Sequence, residues 1–301
     1  MKRPTFSETV RLHRLLTPPV SKVDLTGRTV LVTGANTGIG FQTAKYFATM
    51  SPRKIIIACR NEEKGIAAVA RIRQETGFER VELRMLDLAK FSSVLEFVER
   101  FEKEEEQLDI HVANAAVVPR ERRVTEDGWE ESLQVNNIST ILLSVLLLPL
   151  MVKAIENCPG SRPRIIIVGS TAMFNIEQFS EEVVSSDHPL RALDGEEWAQ
   201  ASGRHFPRYD ESKLLSFFTT RALAHALAKT PIIVNCPCPG ICPDTEISRE
   251  HSIITKIILT IIGWWFGRTS EEGAKQVVWA ALAHQEDPDV LKGAFIAYGS
   301  M

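Results

Sequence analysis

Tyr209 and Lys213 stand four residues apart in Tyr209-Asp210-Glu211-Ser212-Lys213. On a helix that spacing leaves two side chains about 40° apart, on one face. A free phenol titrates near pH ~10, too high for acid–base work at neutrality. A neighbouring ammonium favours the phenolate and brings proton transfer into working range. Taken alone, the pair fits a surface tyrosine with a helical neighbour equally well. Ser170 supplies the context, because it closes the apolar run Ile165-Ile166-Ile167-Val168-Gly169. A hydroxyl at a strand end can hold a substrate oxygen and steady charge that develops on it.

A second constellation points to phosphate. The run Thr33-Gly34-Ala35-Asn36-Thr37-Gly38-Ile39-Gly40 lies between an apolar, β-branched segment and an amphipathic one. Gly34 permits a tight turn, Gly38 removes a side chain where backbone must approach a pyrophosphate, and Gly40 lets a helix pack close to a sheet. The free N–H groups and positive dipole end of that helix face the phosphates. The next apolar run ends Ala58-Cys59-Arg60-Asn61. An acidic residue here would suit a ribose 2′-hydroxyl. Arg60 offers instead a planar cation for a 2′-phosphate, the alternative being an exposed arginine on a loop.

The elements that must carry these groups follow from periodicity. Strands are expected at Arg28–Thr33, Lys54–Cys59, Val81–Leu86, Leu108–Val112, Arg164–Gly169, Pro231–Cys236 and Ala294–Ala297. Helices are expected at Gly38–Met50, Glu62–Thr76, Ser92–Glu106, Trp129–Glu156, Tyr209–Lys229 and Ser270–His284. The strand segments are continuously apolar, as when helices cover both sheet faces. Such alternation predicts an α/β fold of Rossmann type: one doubly wound parallel sheet of about seven strands. Residues 22–301 are expected to form one domain behind an N-terminal arm, 1–21. Two long segments break the alternation, a substrate loop at 171–208 and a lid at 241–268. Long loops in a compact domain are usually functional.

Composition excludes several classes. A net charge of −3 gives no footprint for nucleic acid. Five cysteines, an odd number with no secretory leader apparent, point to a reducing, cytoplasmic setting. Cys236, Cys238 and Cys242 lie close together, but no fourth ligand is spaced to complete a tetrahedral metal site. Ile138–Val152 and Ile253–Phe266 are too short to span a bilayer. The first reads as a buried helix. The second reads as an apolar lid over the active site, with a membrane-surface contact as the alternative; Phe174, Phe179 and Phe206 could add aromatic walls.

The spacing Thr-Gly-x-x-x-Gly-Ile-Gly, with Tyr-x-x-x-Lys downstream and a Ser before it, resembles the short-chain dehydrogenase/reductase family over about Lys22 to Ser300. The resemblance implies catalysis by Asn136, Ser170, Tyr209 and Lys213, with Asn136 placing a relay water beside Lys213. It implies dinucleotide contacts from Gly34, Asn36, Thr37, Gly38, Ile39 and Gly40, and from Arg60, Asn61, Asp87, Leu88, Asn114, Pro239, Gly240, Tyr209 and Lys213. Where the family has a Thr four residues after the Pro-Gly glycine, this chain has Asp244, so Thr245 is taken as the match across a one-residue insertion. Ala113 and Ala116 depart from the family's Asn-Asn-Ala-Gly. Cys59-Arg60-Asn61 is similar to retinol-dehydrogenase-like members that prefer NADP(H), and the Ser212-Lys213-Leu214-Leu215 region to fungal members of secondary metabolism.

The implied reaction is hydride transfer between NADP(H) and the carbonyl or secondary alcohol of a small apolar molecule. Two alternatives share the scaffold: a redox-silent dehydratase, epimerase or cyclase, and a cofactor-binding regulator without turnover. Family members commonly associate through two long helices. Here Ile141, Leu142, Val145, Leu146, Leu148, Leu214, Phe217 and Phe218 give those helices surplus apolar surface, so a homodimer or homotetramer is expected.

Overall fold

The computed structural model describes residues 20, 22–119, 121–195, 207–245 and 267–297. Seven strands form one sheet: β1 (Thr29–Thr33), β2 (Lys54–Cys59), β3 (Val81–Met85), β4 (Ile110–Ala113), β5 (Arg164–Ile167), β6 (Ile233–Cys238) and β7 (Phe295–Ala297). Their order is β3-β2-β1-β4-β5-β6-β7, and every pairing is parallel. The helices are α1 (Gly38–Ala48), α2 (Glu62–Thr76), α3 (Phe91–Glu104), α4 (Glu131–Asn157), α5 (Glu181–Ser185), α6 (Pro189–Asp194), α7 (Pro207–Ala226) and α8 (Ser270–Leu282).

The period-two geometry of strands divides the core between two faces. Val30, Val32, Ile55 and Ile57 pack with Phe47 of α1, Ile72 of α2 and Val277 of α8. Their neighbours Leu31 and Ile56 point the other way, to Phe101 of α3, Leu147 and Leu150 of α4 and Leu223 of α7. Both faces are covered, which is why the strands read as continuous apolar runs. The order reverses between β1 and β4, and the carboxyl ends beside that switch point form the expected binding crevice.

Three expectations are corrected. The helix expected over Trp129–Glu156 is one rod in length but not in geometry. It opens with a short α-turn (Glu131–Leu133), widens into a π-turn at Gln134–Ile138, and breaks at Leu147 where Pro149 enters the next turn. Proline lacks the N–H that would continue the ladder. This is also a helix long and apolar enough to cross a membrane, but Leu143, Leu147, Leu150 and Met151 are buried against the sheet. Second, β6 runs past Cys236 through Pro237 to Cys238; Pro237 donates nothing, and its carbonyl accepts the N–H of Gly169 at 2.8 Å. Third, the loop expected over 171–208 contains a 3-10 turn at Thr171–Asn175 followed by α5 and α6. Residues 196–206 of that segment, 246–266 of the expected lid, and the arm apart from Val20 lie outside the described residues.

Candidate active site

A cavity of about 420 Å³ opens at the carboxyl ends of β1 to β6. The glycine turn forms its floor. Gly34 sits at φ +65° and Gly38 at φ +57°, conformations that favour glycine. A Cβ on Gly34 would lie 2.8 Å from the Ala115 Cα, and one on Gly38 3.2 Å from the Thr245 methyl. A Cβ on Gly40 would meet the Asn114 amide nitrogen at 2.5 Å. Gly40 therefore packs the start of α1 against the sheet and does not line the cavity, whereas Asn36, Thr37, Gly38 and Ile39 do. Asn114 braces the turn: its Nδ2 donates to the carbonyls of Thr33 at 3.0 Å and Gly34 at 3.2 Å.

At the far end of the cavity, Asp87 and Leu88 line the wall beyond β3. The Asp87 carboxylate accepts the N–H of Ala89 at 3.0 Å, which fixes its loop. Arg60 reaches the rim with its side chain 42% exposed. Asn61, expected beside it, is engaged elsewhere. Its side chain accepts the N–H of Lys64 at 2.8 Å as the N-cap of α2, and it is not among the lining residues. A capping asparagine satisfies a helix N–H that would otherwise lack a partner.

At the near end Ser170, Tyr209 and Lys213 converge. Ser170 lies close enough to the Tyr209 phenol to lower its pKa. The Ser170 Oγ accepts the N–H of Ala172 at 3.1 Å, which orients the hydroxyl at the end of β5. The Lys213 ammonium donates to the Val168 carbonyl at 2.8 Å and lies 5.6 Å from the centre of the Tyr209 ring. The electrostatics differ from the sequence expectation. Burial raises Tyr209 above the ordinary phenol value, against the lowering by Ser170. Burial also lowers Lys213 to about 8, with Cys236 and Cys238 pulling the other way. Desolvation penalises whichever form is charged, so it pushes an acid up and a base down.

Asn136 is the residue expected to place a relay water beside Lys213. It lies in the π-turn of α4, outside the cavity lining, and its side chain is fully engaged. Its Oδ1 accepts the N–H of Val117 at 2.8 Å, while its Nδ2 donates to the Val117 carbonyl at 3.1 Å and to Ser212 Oγ at 3.0 Å. It thus joins the loop after β4 to the turn of α7 between Tyr209 and Lys213. Across the cavity, Pro239, Gly240 and Thr245 line the wall. Asp244 turns away and accepts the N–H of Ser270 through both carboxylate oxygens, at 2.9 and 2.8 Å.

Sequence reasoning missed Val117, Val118 and Cys242, which also line the cavity. Their proximity comes from loop paths and carries no local signal. Phe174 and Phe179 are not walls of this cavity. Phe174 packs edge-on to Phe295, and Phe179 against Phe218. Phe206 lies outside the described residues. No group of three or more potential metal ligands occurs among the described residues. Cys236, Cys238 and Cys242 are buried free thiols.

The chain is similar in sequence and fold to known proteins. Retinol dehydrogenase 13 of Mus musculus is 34% identical over 272 residues, covering 88% of this chain and 74% of that protein. Short chain dehydrogenase sor7 of Hypocrea jecorina is 31% identical over 271 residues, with the same coverage of 88% and 74%. Among solved structures, a short chain dehydrogenase from Shigella flexneri superposes with a TM-score of 0.67 at 20% identity over 95% of both chains. An actinorhodin polyketide ketoreductase solved with NADPH gives 0.66 at 21% identity, covering 90% of this chain and 95% of that one. The short chain dehydrogenase family model matches residues 28–180, which hold the glycine turn, Arg60, Asn114, Asn136 and Ser170. With the sheet order and relatives of this similarity, that match makes the chain a member of the short-chain dehydrogenase family of oxidoreductases.

Proposed function

We propose that this protein is an NADP(H)-dependent oxidoreductase acting on a carbonyl or secondary alcohol of a small apolar molecule. The observation that carries the reading is the meeting of Ser170, Tyr209 and Lys213 in the cavity whose other end holds the glycine turn and Arg60. The residues present suit a 2′-phosphorylated dinucleotide: a tight turn whose Gly34 and Gly38 line the cavity at positive φ, and a cation beyond β2. When bound, the nicotinamide would supply or accept the hydride.

The chain's own groups divide the remaining work. Ser170 holds the substrate oxygen and Tyr209 transfers the proton to or from it. Burial keeps the Tyr209 phenol protonated across the neutral range, the form needed to donate to a carbonyl being reduced. Lys213, held on Val168 beside the phenol, stabilises negative charge as the proton leaves. Asn136 acts as a positioning residue through Ser212. Val117, Val118 and Ile241 give the cavity an apolar side, which suits an apolar substrate. Fungal short-chain dehydrogenases among the relatives favour a place in secondary metabolism.

Loss of NADPH absorbance with a panel of aromatic and polyketide-like ketones tests the reading. Tyr209→Phe should abolish turnover and leave NADPH binding, followed by fluorescence, within about twofold, because the proton donor alone is lost. Turnover like that of the unmodified protein in Tyr209→Phe would reject the assigned chemistry.

A further inference from the structure

Arg60, the cation at the adenosine end of the cavity, has a neighbour that the proposed function does not use. Its NH1 lies 3.6 Å from the Oε1 of Glu131. The Glu131 carboxylate is buried and fixed. Its other oxygen accepts Arg123 Nε at 2.6 Å, and the Glu131 N–H donates to the Arg123 carbonyl at 2.9 Å. Arg123 is therefore the tight partner of Glu131, while Arg60 is the loose one, beyond hydrogen-bond reach and half exposed.

We infer that Glu131 is a specificity-determining residue, a fixed counter-charge that competes with the 2′-phosphate of the dinucleotide for Arg60. The inference rests on the NADP(H) reading above. A phosphate monoester near pH 7 carries roughly −1.5 to −2 charges. Any such group that Arg60 grips sits beside the Glu131 carboxylate, which cannot withdraw because Arg123 and the start of α4 hold it. Like charges brought together oppose binding, and most strongly where burial limits screening. The carboxylate thus reduces the margin by which a 2′-phosphorylated ligand is preferred over one without the phosphate. It does nothing to a ligand that lacks the phosphate, because Arg60 is then free to remain paired.

Calorimetric titration with 2′,5′-ADP and with 5′-AMP reads this margin without turnover. Glu131→Gln removes the anion and keeps an acceptor for Arg123. It should tighten 2′,5′-ADP about three- to tenfold and leave 5′-AMP within about twofold. In an Arg60→Ala background the gain should vanish. Arg123→Ala, which leaves Arg60 as the remaining arginine on Glu131 among the described residues, should weaken 2′,5′-ADP and spare 5′-AMP. If Arg60→Ala weakens 2′,5′-ADP but Glu131→Gln leaves it unchanged or weaker, Glu131 does not compete and the NADP(H) reading stands. If Arg60→Ala leaves 2′,5′-ADP unchanged, the NADP(H) reading falls and this inference falls with it.

Discussion

Replacing Lys213 by Met should make the fold relatively more stable at neutral pH, and that advantage should shrink as the pH rises. Lys213 is fully buried, and burial lowers its folded pKa from 10.5 to about 8. Between those values the unfolded chain holds more protons than the folded one, so the stability of the unmodified protein rises with pH there. With folded and unfolded values of about 8 and 10.5, the linkage integral from pH 7 to 9.5 gives a gain of about 2 kcal/mol. Lys213→Met has no such group and should lack that gain. The loss of the donor to Val168, and the packing change, add an offset independent of pH, which drops out of the comparison. Cys236, pushed up to about 12 by burial, stays neutral in this window and does not confuse it. Urea unfolding of both proteins at pH 7, 8, 9 and 9.5 reads the difference directly. A stability difference that stays constant within about 0.5 kcal/mol would refute the claim that the folded protein shelters a lysine with a depressed pKa.

Two other substitutions test the cofactor and assembly readings. Arg60→Asp should move preference from NADP(H) toward NAD(H) by roughly ten- to hundredfold, the worth of about 1.5–3 kcal/mol for a charged hydrogen bond; an unchanged ratio of kcat/KM for the two cofactors would place Arg60 off the phosphate. Val145 and Phe218, on α4 and α7, are 44% and 48% exposed, whereas Phe217, read from sequence as surplus surface, packs into the core with Met173 and Phe295. If copies of the chain associate through these helices, Val145→Lys with Phe218→Lys should convert a dimer or tetramer to monomer by light scattering, and an unchanged mass would move the interface elsewhere.

The legible parts of the sequence were those whose signals are local. Strand β2 and helix α2 have the expected bounds because a continuous apolar run leads into an asparagine cap and a left-handed Gly77 closes the helix. Ser170, Tyr209 and Lys213 were readable because chemistry fixes their types and the helix period fixes the last two relative to each other. What escaped depends on partners distant in sequence. Asn61 has the right place for a ligand contact, yet a helix end claimed its side chain. The phenol was expected to fall beside a lysine, but both groups are buried, and desolvation is the largest influence on each. Phe174 looked like a substrate wall only because nothing in its own segment shows Phe295 waiting for it.

The π-turn in α4 supplies side chains that hold α7. Consecutive asparagines of the turn over Gln134–Ile138 both address α7. Asn136 Nδ2 donates to Ser212 Oγ, and the side-chain Oδ1 of Asn137 accepts from Ser216 Oγ at 3.2 Å. These contacts grip α7 on either side of Lys213. A second grip lies at its start, where Arg208 donates to the Leu193 carbonyl of α6 and pairs with Glu211 at 3.1 Å and Glu130 at 3.7 Å. Tyr209 is therefore fixed between an ion-paired neighbour and a helix bound through asparagines. Positions are set by two elements far apart in sequence, α4 and the insertion after β5. A small shift in either would move the phenol relative to Ser170, and misplacements of about 1 Å are costly wherever reacting groups must meet.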